Sequence, residues 1–241
     1  PQLWDAARFE VDHRDEEGQF IFTGSAVPAD TNKIHHTGTG RFAWMTMRTM
    51  SLYESEESTG EVSLSELFNK PNLDIFGTNH LNIDSIAWLI CRGGWPRATT
   101  IDKEVALDMA YRYYEAVVNN DISRVDHVQR DTERTKRILR SIARNQCAQI
   151  SVNTICADIE NNDTVAANRL TIASYIEALK KIFVLEDSLA WNPNLRSKTA
   201  IRSSETRYFS DPSIGVAALG VGPNDLINDL STMGLFFESM C

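Results

Sequence analysis

Four arginines, Arg134, Arg137, Arg140 and Arg144, stand three, three and four residues apart within DTERTKRILRSIARN (131–145). On a helix that spacing aligns fixed positive charges, and each guanidinium offers several N–H donors to phosphate or carboxylate. Two readings stay open for them: a phosphate track on duplex DNA, or a solvated face. A second helix pattern, LTIASYIEALKKI (170–182), offers Thr171, Ser174 and Lys181 opposite its apolar residues. Hydroxyls there read base edges and the lysine meets phosphate, while Glu177 between them repels it. These seven are the candidate nucleic-acid-binding residues. No G-x-S-x-G elbow accompanies the serines, histidines and aspartates, so no hydrolytic triad is assigned. No metal ligands are assigned either. His35 and His36 are neighbours that point apart on a strand, and Cys91, Cys147, Cys156 and Cys241 form no C-x-x-C pair. The cysteines read as reduced, mostly buried thiols of a cytoplasmic protein.

The elements that must position these side chains follow from periodicity. Helix 131–145 buries Ile138, Leu139 and Ile142, and VNTICADIENN (152–162) is a short helix after it. Helix 170–182 buries Ile172, Ile176, Leu179 and Ile182, and FVLEDSLAW (183–191) is an apolar strand. Helix, short helix, helix and β wing is the order of a winged-helix module, whose usual partner is DNA. Beyond the wing, NPNLRSKTAIRSSETR (192–207) is a polar loop with four basic residues against one acid, and RYFSDPSIGVAALG (207–220) reads as strand, Asp-Pro turn and short helix.

Upstream, residues 1–14 predict a helix. QFIFTGSA (19–26) predicts a buried strand and RFAWMTMRTMSLYE (41–54) a second one. VSLSELFN (62–69) predicts a helix with Ser63 as N-cap and Glu66 completing a capping box. Asp84–Arg92 predicts a helix stopped by Gly93-Gly94-Trp95-Pro96. A long helix over Asp102–Asn120 carries Val105, Met109, Tyr113 and Val117, and Asn119-Asn120-Asp121 ends it. The fold class is therefore mainly α with short β segments.

The 241 residues hold one large domain or two to three small ones, and no apolar run approaches the ~20 residues of a membrane span. The formal charge of −9 is unevenly divided. Residues 1–120 hold ten basic and eighteen acidic side chains, whereas Arg124–Arg144 holds seven basic against three acidic. The acidic half is unsuited to nucleic acid, and one helix of the other half carries a local positive field. Both ends read as cut: the chain opens inside a helix pattern and closes on the uncovered apolar face of Phe236, Phe237 and Met240. A fragment of a longer protein is expected.

The order FIFTGSA, GTGRF, RTMSLYES, VSLSELF and ICRGGWPRA resembles bacterial ATP-binding proteins of the AAA+ superfamily. RVDHVQRDTERTKRILRSIARN, IEALKKIFVLEDSLAWNPNLRSK and YFSDPSIGVAALG resemble the C-terminal domain of uncharacterised function that follows the ATPase core in that family. The resemblance implies four parts: the end of the AAA+ core (1–70), a helical lid (71–121), a winged-helix domain (122–195), and the start of a nuclease-like C-terminal domain (196–241). It implies a sensor role for Thr23 or Ser25 facing the γ-phosphate, a finger role for Arg41 and a lid role for Arg97. Glu238 matches the acidic position of a nuclease-like first helix. It implies ATP and Mg in the full-length parent and a homo-oligomer there. This chain has no G-x-x-x-x-G-K-[ST] and no apolar strand ending in Asp, so neither is expected to bind here. The alternative expectation is a non-enzymatic winged-helix module that docks DNA or protein.

Overall fold

The computed structural model describes residues 2–14, 16, 18–25, 43–70, 74–160, 168–194, 198 and 204–241. It is mainly helical, with one small antiparallel sheet. Upstream lie α1 (Gln2–Arg14) and α2 (Leu64–Asn69). Then come α3 (Ile83–Arg92), α4 (Lys103–Ala116), α5 (Ile122–Arg124), α6 (Thr132–Arg144), α7 (Val152–Glu160) and α8 (Arg169–Lys181). Strands β1 (Leu185–Ser188) and β2 (Thr206–Phe209) follow, and α9 (Pro212–Leu219), α10 (Pro223–Asn228) and α11 (Leu230–Met240) close the chain.

The helices begin where short polar side chains satisfy orphan backbone N–H groups. Asn82 accepts from Ser85, Asp131 from Arg134, and Asp211 from Ser213, each at the start of its helix. Gly93, at φ +69°, closes α3 in the left-handed region. Ser63 caps α2 as expected.

One apolar core runs from α3 to α11. It joins Ile90, Tyr114 and Ile122 with Ile138, Leu139 and Ile142 of α6, and with Ile172, Ile176 and Leu179 of α8. Phe209, Ile214 and Phe236 fill its other side. The expected boundary at 121–122 falls inside this core, and β2 lies beyond the expected boundary at 195.

Three expectations need correction. Residues 18–25 and 43–54 form no strand. Ile21, Met45 and Met47 are 90%, 93% and 91% exposed. A strand needs a neighbour to take its backbone N–H and C=O groups, and none lies alongside among the described residues. The helix expected to stop at Asn119–Asp121 continues as a π turn (Val117–Asp121) into α5. The π turn's extra residue keeps Val117, Val118 and Ile122 all turned inward. On α4 the buried face is Ala106, Ala110 and Tyr114, one residue on from the predicted positions, and Val105 is half exposed. Small alanines suit the close approach of α9, which packs against α4.

Candidate docking surface and its supporting corner

Helices α6, α7 and α8 pack in sequence, and the β1–β2 hairpin follows α8. The register pairs Leu185 with Phe209 and Ser188 with Thr206. Ala148, between α6 and α7, bridges Arg207 on the other side of β2. The order along the chain here is helix, bridging residue, helix, helix and two-stranded hairpin. The bridge was not foreseen, because a single extended residue leaves no periodic trace in the sequence.

The charges of this unit are mostly committed internally. Arg144 pairs with Asp158 at 2.9 Å, and Ser141 donates to the same carboxylate. Lys136 reaches Glu133 and Glu115, and Arg134 and Arg137 each have an interaction of their own. On α8, Lys180 pairs with Asp187 at 2.6 Å and with Glu177. Ser174, expected on the outer face, is exposed and accepts from Arg130 at 3.2 Å. Arg130 is buried; its guanidinium grips both oxygens of Asp126, donates to the Ile122 carbonyl and lies 5.6 Å from the Tyr175 ring. These bonds hold the Asp126 carboxyl below its usual range. Burial works to raise the Asp187 carboxyl, but hydrogen bonds from Arg207 and Lys180 outweigh it and hold the group low. Thr171 is half-buried, while Arg140 and Lys181 are exposed and enter no ion pair among the described residues.

The apolar side chains of the same unit are not so committed. Leu170 on α8 is 77% exposed, and Leu189 and Trp191 beyond β1 are 77% and 84% exposed. Sequence reading passed over them, because an apolar run such as FVLEDSLAW predicts burial.

A second cluster forms where two motifs 117 residues apart meet. The buried Asp211 carboxylate accepts from the Gly94 N–H at 2.8 Å and from the Ser213 N–H at 2.9 Å. The Ser213 hydroxyl also donates to Asp211 and accepts from the Trp95 indole at 3.0 Å. A Cβ on Gly93 would stand 2.3 Å from Asp211 Oδ1, and one on Gly94 would stand 2.1 Å from the Met50 carbonyl oxygen. Only glycine fits at either place. Neighbouring Arg92, also buried, pairs with Glu57 and donates to the Ser55 hydroxyl and the Gly93 carbonyl. The signal for this corner was the GGWP and SDPS pair, but nothing local says that they touch.

Thr23 and Ser25 sit exposed in the irregular segment 18–25, and Arg97 is exposed in a 3-10 turn (Pro96–Thr99). No hydrogen bond or ion pair among the described residues joins Thr23 or Ser25 to Arg97. Arg41 lies outside the described residues. Glu238 on α11 accepts from the Tyr208 hydroxyl at 3.4 Å. The Gly93–Gly94 corner does not fit a nucleotide phosphate, since the Gly94 N–H is already taken by a carboxylate that would repel one. No group of His, Cys, Asp and Glu that could hold a metal ion occurs among the described residues. Cys91 is buried and its thiol is pushed up to about 12, chiefly by that burial, so it is not a reactive thiolate.

Residues 83–225 match the model of a domain family of unknown function, DUF8612. The chain belongs to this family. The match opens at the first residue of α3 and ends in α10, so the DUF8612 domain includes helices α6 to α8, the β1–β2 hairpin, Arg92 and the Asp211 corner. No curated relative and no solved structure matches the chain. Membership in DUF8612 fixes a family and no activity. No helix among the described residues is long and apolar enough to cross a membrane.

Proposed function

We propose that the chain is a docking module that receives a partner protein on the exposed apolar side chains of its winged-helix unit. The observation that supports this reading is the contrast between committed cations and uncommitted apolar groups. Lys136, Arg144 and Lys180 are held by carboxylates of the same chain, while Leu170, Leu189 and Trp191 stand open to solvent. Duplex DNA binding draws its strength from cations that neutralise phosphates, and a paired cation must first give up its carboxylate. Exposed aromatic and aliphatic anchors are what protein interfaces bury.

A second reading, docking of duplex DNA, is favoured by exposed Arg140 and Lys181 and by the basic loop 192–207, whose Arg196 and Arg202 lie outside the described residues. The resemblance to AAA+ proteins supplies a setting for either partner. In the parent, ATP hydrolysis with Mg in a nucleotide-binding core would drive the change that the docking surface reads out. The order of the motifs alone supports that part.

A photo-crosslinker placed at position 191, with one at position 140 as comparison, tests the choice of partner. The protein reading expects protease-sensitive adducts at 191 that Leu189→Asp removes. A labelled 30-base-pair duplex completes the test. Binding that weakens steeply from 50 to 200 mM salt, and further with Arg140→Glu, would overturn the protein reading in favour of DNA.

A further inference from the structure

We propose that residues 48–57 form a strap that is fixed at its Glu57 end and opens at its Arg48 end. The strap thereby couples the segment upstream of the DUF8612 domain to strand β1. The two ends differ in burial. At the fixed end the Arg92 side chain is 3% exposed, and its Nη atoms reach Glu57 and Ser55 of the strap. Releasing that end strands a buried cation away from its carboxylate. At the other end Arg48 makes a forked pair with Glu186 of β1, at 3.0 Å from Nε and 2.8 Å from Nη2. These side chains are 59% and 38% exposed, so water and salt compete for the pair directly.

Between the ends, the Met50 N–H donates to the Gly94 carbonyl at 2.7 Å. That contact is backbone on backbone and is the pivot. Beneath the strap lies a cleft of about 450 Å³, lined among others by Leu52, Tyr208, Phe209 and Met240. Glu186 stands opposite Tyr208 in the β1–β2 register and lines the same cleft. Loss of the Arg48–Glu186 pair therefore releases the Glu186 side chain and uncovers the cleft together, while β1 stays paired with β2. The strap's upstream continuation, Trp44 to Met47, is exposed and offers a handle by which an upstream event pulls Arg48 away. The coupling holds whichever partner the hairpin receives, so it stands apart from the docking proposal.

Methyl-labelled methionine in the full chain reads the strap directly by NMR. Met50 and Met240 line the cleft, whereas Met233 is buried in the core. Arg48→Glu should shift the Met50 and Met240 signals with a two- to fivefold rise in open population, about what loss of an exposed ion pair gives. Raising salt to 1 M should move the wild-type signals the same way, and Arg48→Glu with Glu186→Arg should restore them. Met233 should stay put throughout. Met50 and Met240 signals indifferent to Arg48→Glu and to salt, a failed rescue, or an equal shift of Met233 would overturn the proposal.

Discussion

Residues 83–240 and the segment before them handle apolar surface in opposite ways. In the first, α3 to α11 close around a common core in which Ile138, Leu139, Ile172, Leu179, Ile214 and Phe236 are fully buried. In the second, Leu3, Phe9, Ile21, Trp44, Met45, Met47, Phe68 and Phe76 are each more than 60% exposed, and among the described residues there Ala7 is the buried apolar one. Trp4 stacks on Trp44 and lies tilted against Phe22, with ring centroids 5.8 Å apart in each pair, but Phe22 and Trp44 stay exposed. The difference teaches that residues 83–240, the family domain together with α11, account for their own stability. The upstream segment is attached through polar bonds to Arg92, Gly94 and Glu186 rather than through shared apolar packing.

Truncations on the two sides should therefore differ most. Phe209→Ala removes a fully buried ring between the sheet and α9 and should cost ~3–5 kcal/mol in urea unfolding. Ile21→Ala should stay within about 0.5 kcal/mol. Equal losses would break the comparison. Next in size is the buried attachment. Arg92→Ala leaves Glu57 without its partner and should cost about 3 kcal/mol, with loss of protection across residues 51–57. Gly94→Ala drives a Cβ into the Met50 carbonyl and should cost ~1–3 kcal/mol, read as detachment of the strap while the core keeps its circular dichroism.

The smallest effect is titration. Asp126 and Asp187 are both held below the usual carboxylate range in the folded chain. A lowered folded value means that their contribution to stability is complete above the unfolded aspartate pKa of about 3.9 and fades as pH falls through the folded values. Unfolding midpoints should be flat above about pH 5 and decline below about pH 4. Asp126→Asn should flatten part of that decline, and an unchanged profile in that variant would show that Arg130 does not hold the carboxylate.

How much was legible in the sequence follows the same division. Helices α3, α6, α8 and α9 were readable because a stop signal, an apolar face or a turn marks each: Gly93-Gly94 after α3, Ile138, Leu139 and Ile142 on α6, Ile172, Ile176 and Leu179 on α8, and the Asp211-Pro212 turn before α9. FIFTGSA and RFAWMTM carry strand patterns too, yet pattern reports what a segment wants to bury and not whether a neighbour is present. The candidate site was half legible. The basic face of α6 was visible, but the carboxylates that pair with Lys136 and Arg144, Glu115 and Asp158, come from other helices. The meeting of Gly94 with Asp211, and of Arg130 with Ser174, spans 117 and 44 residues and has no local trace.

Native-state hydrogen exchange along the whole chain tests the division most directly. Amides of α3, α4, α6, α8 and α9 should exchange only through global unfolding, while those of 18–25 and 43–49 should exchange nearly unprotected, with Met50 the exception beside them. Protection of 18–25 and 43–49 equal to that of α6 would contradict the account.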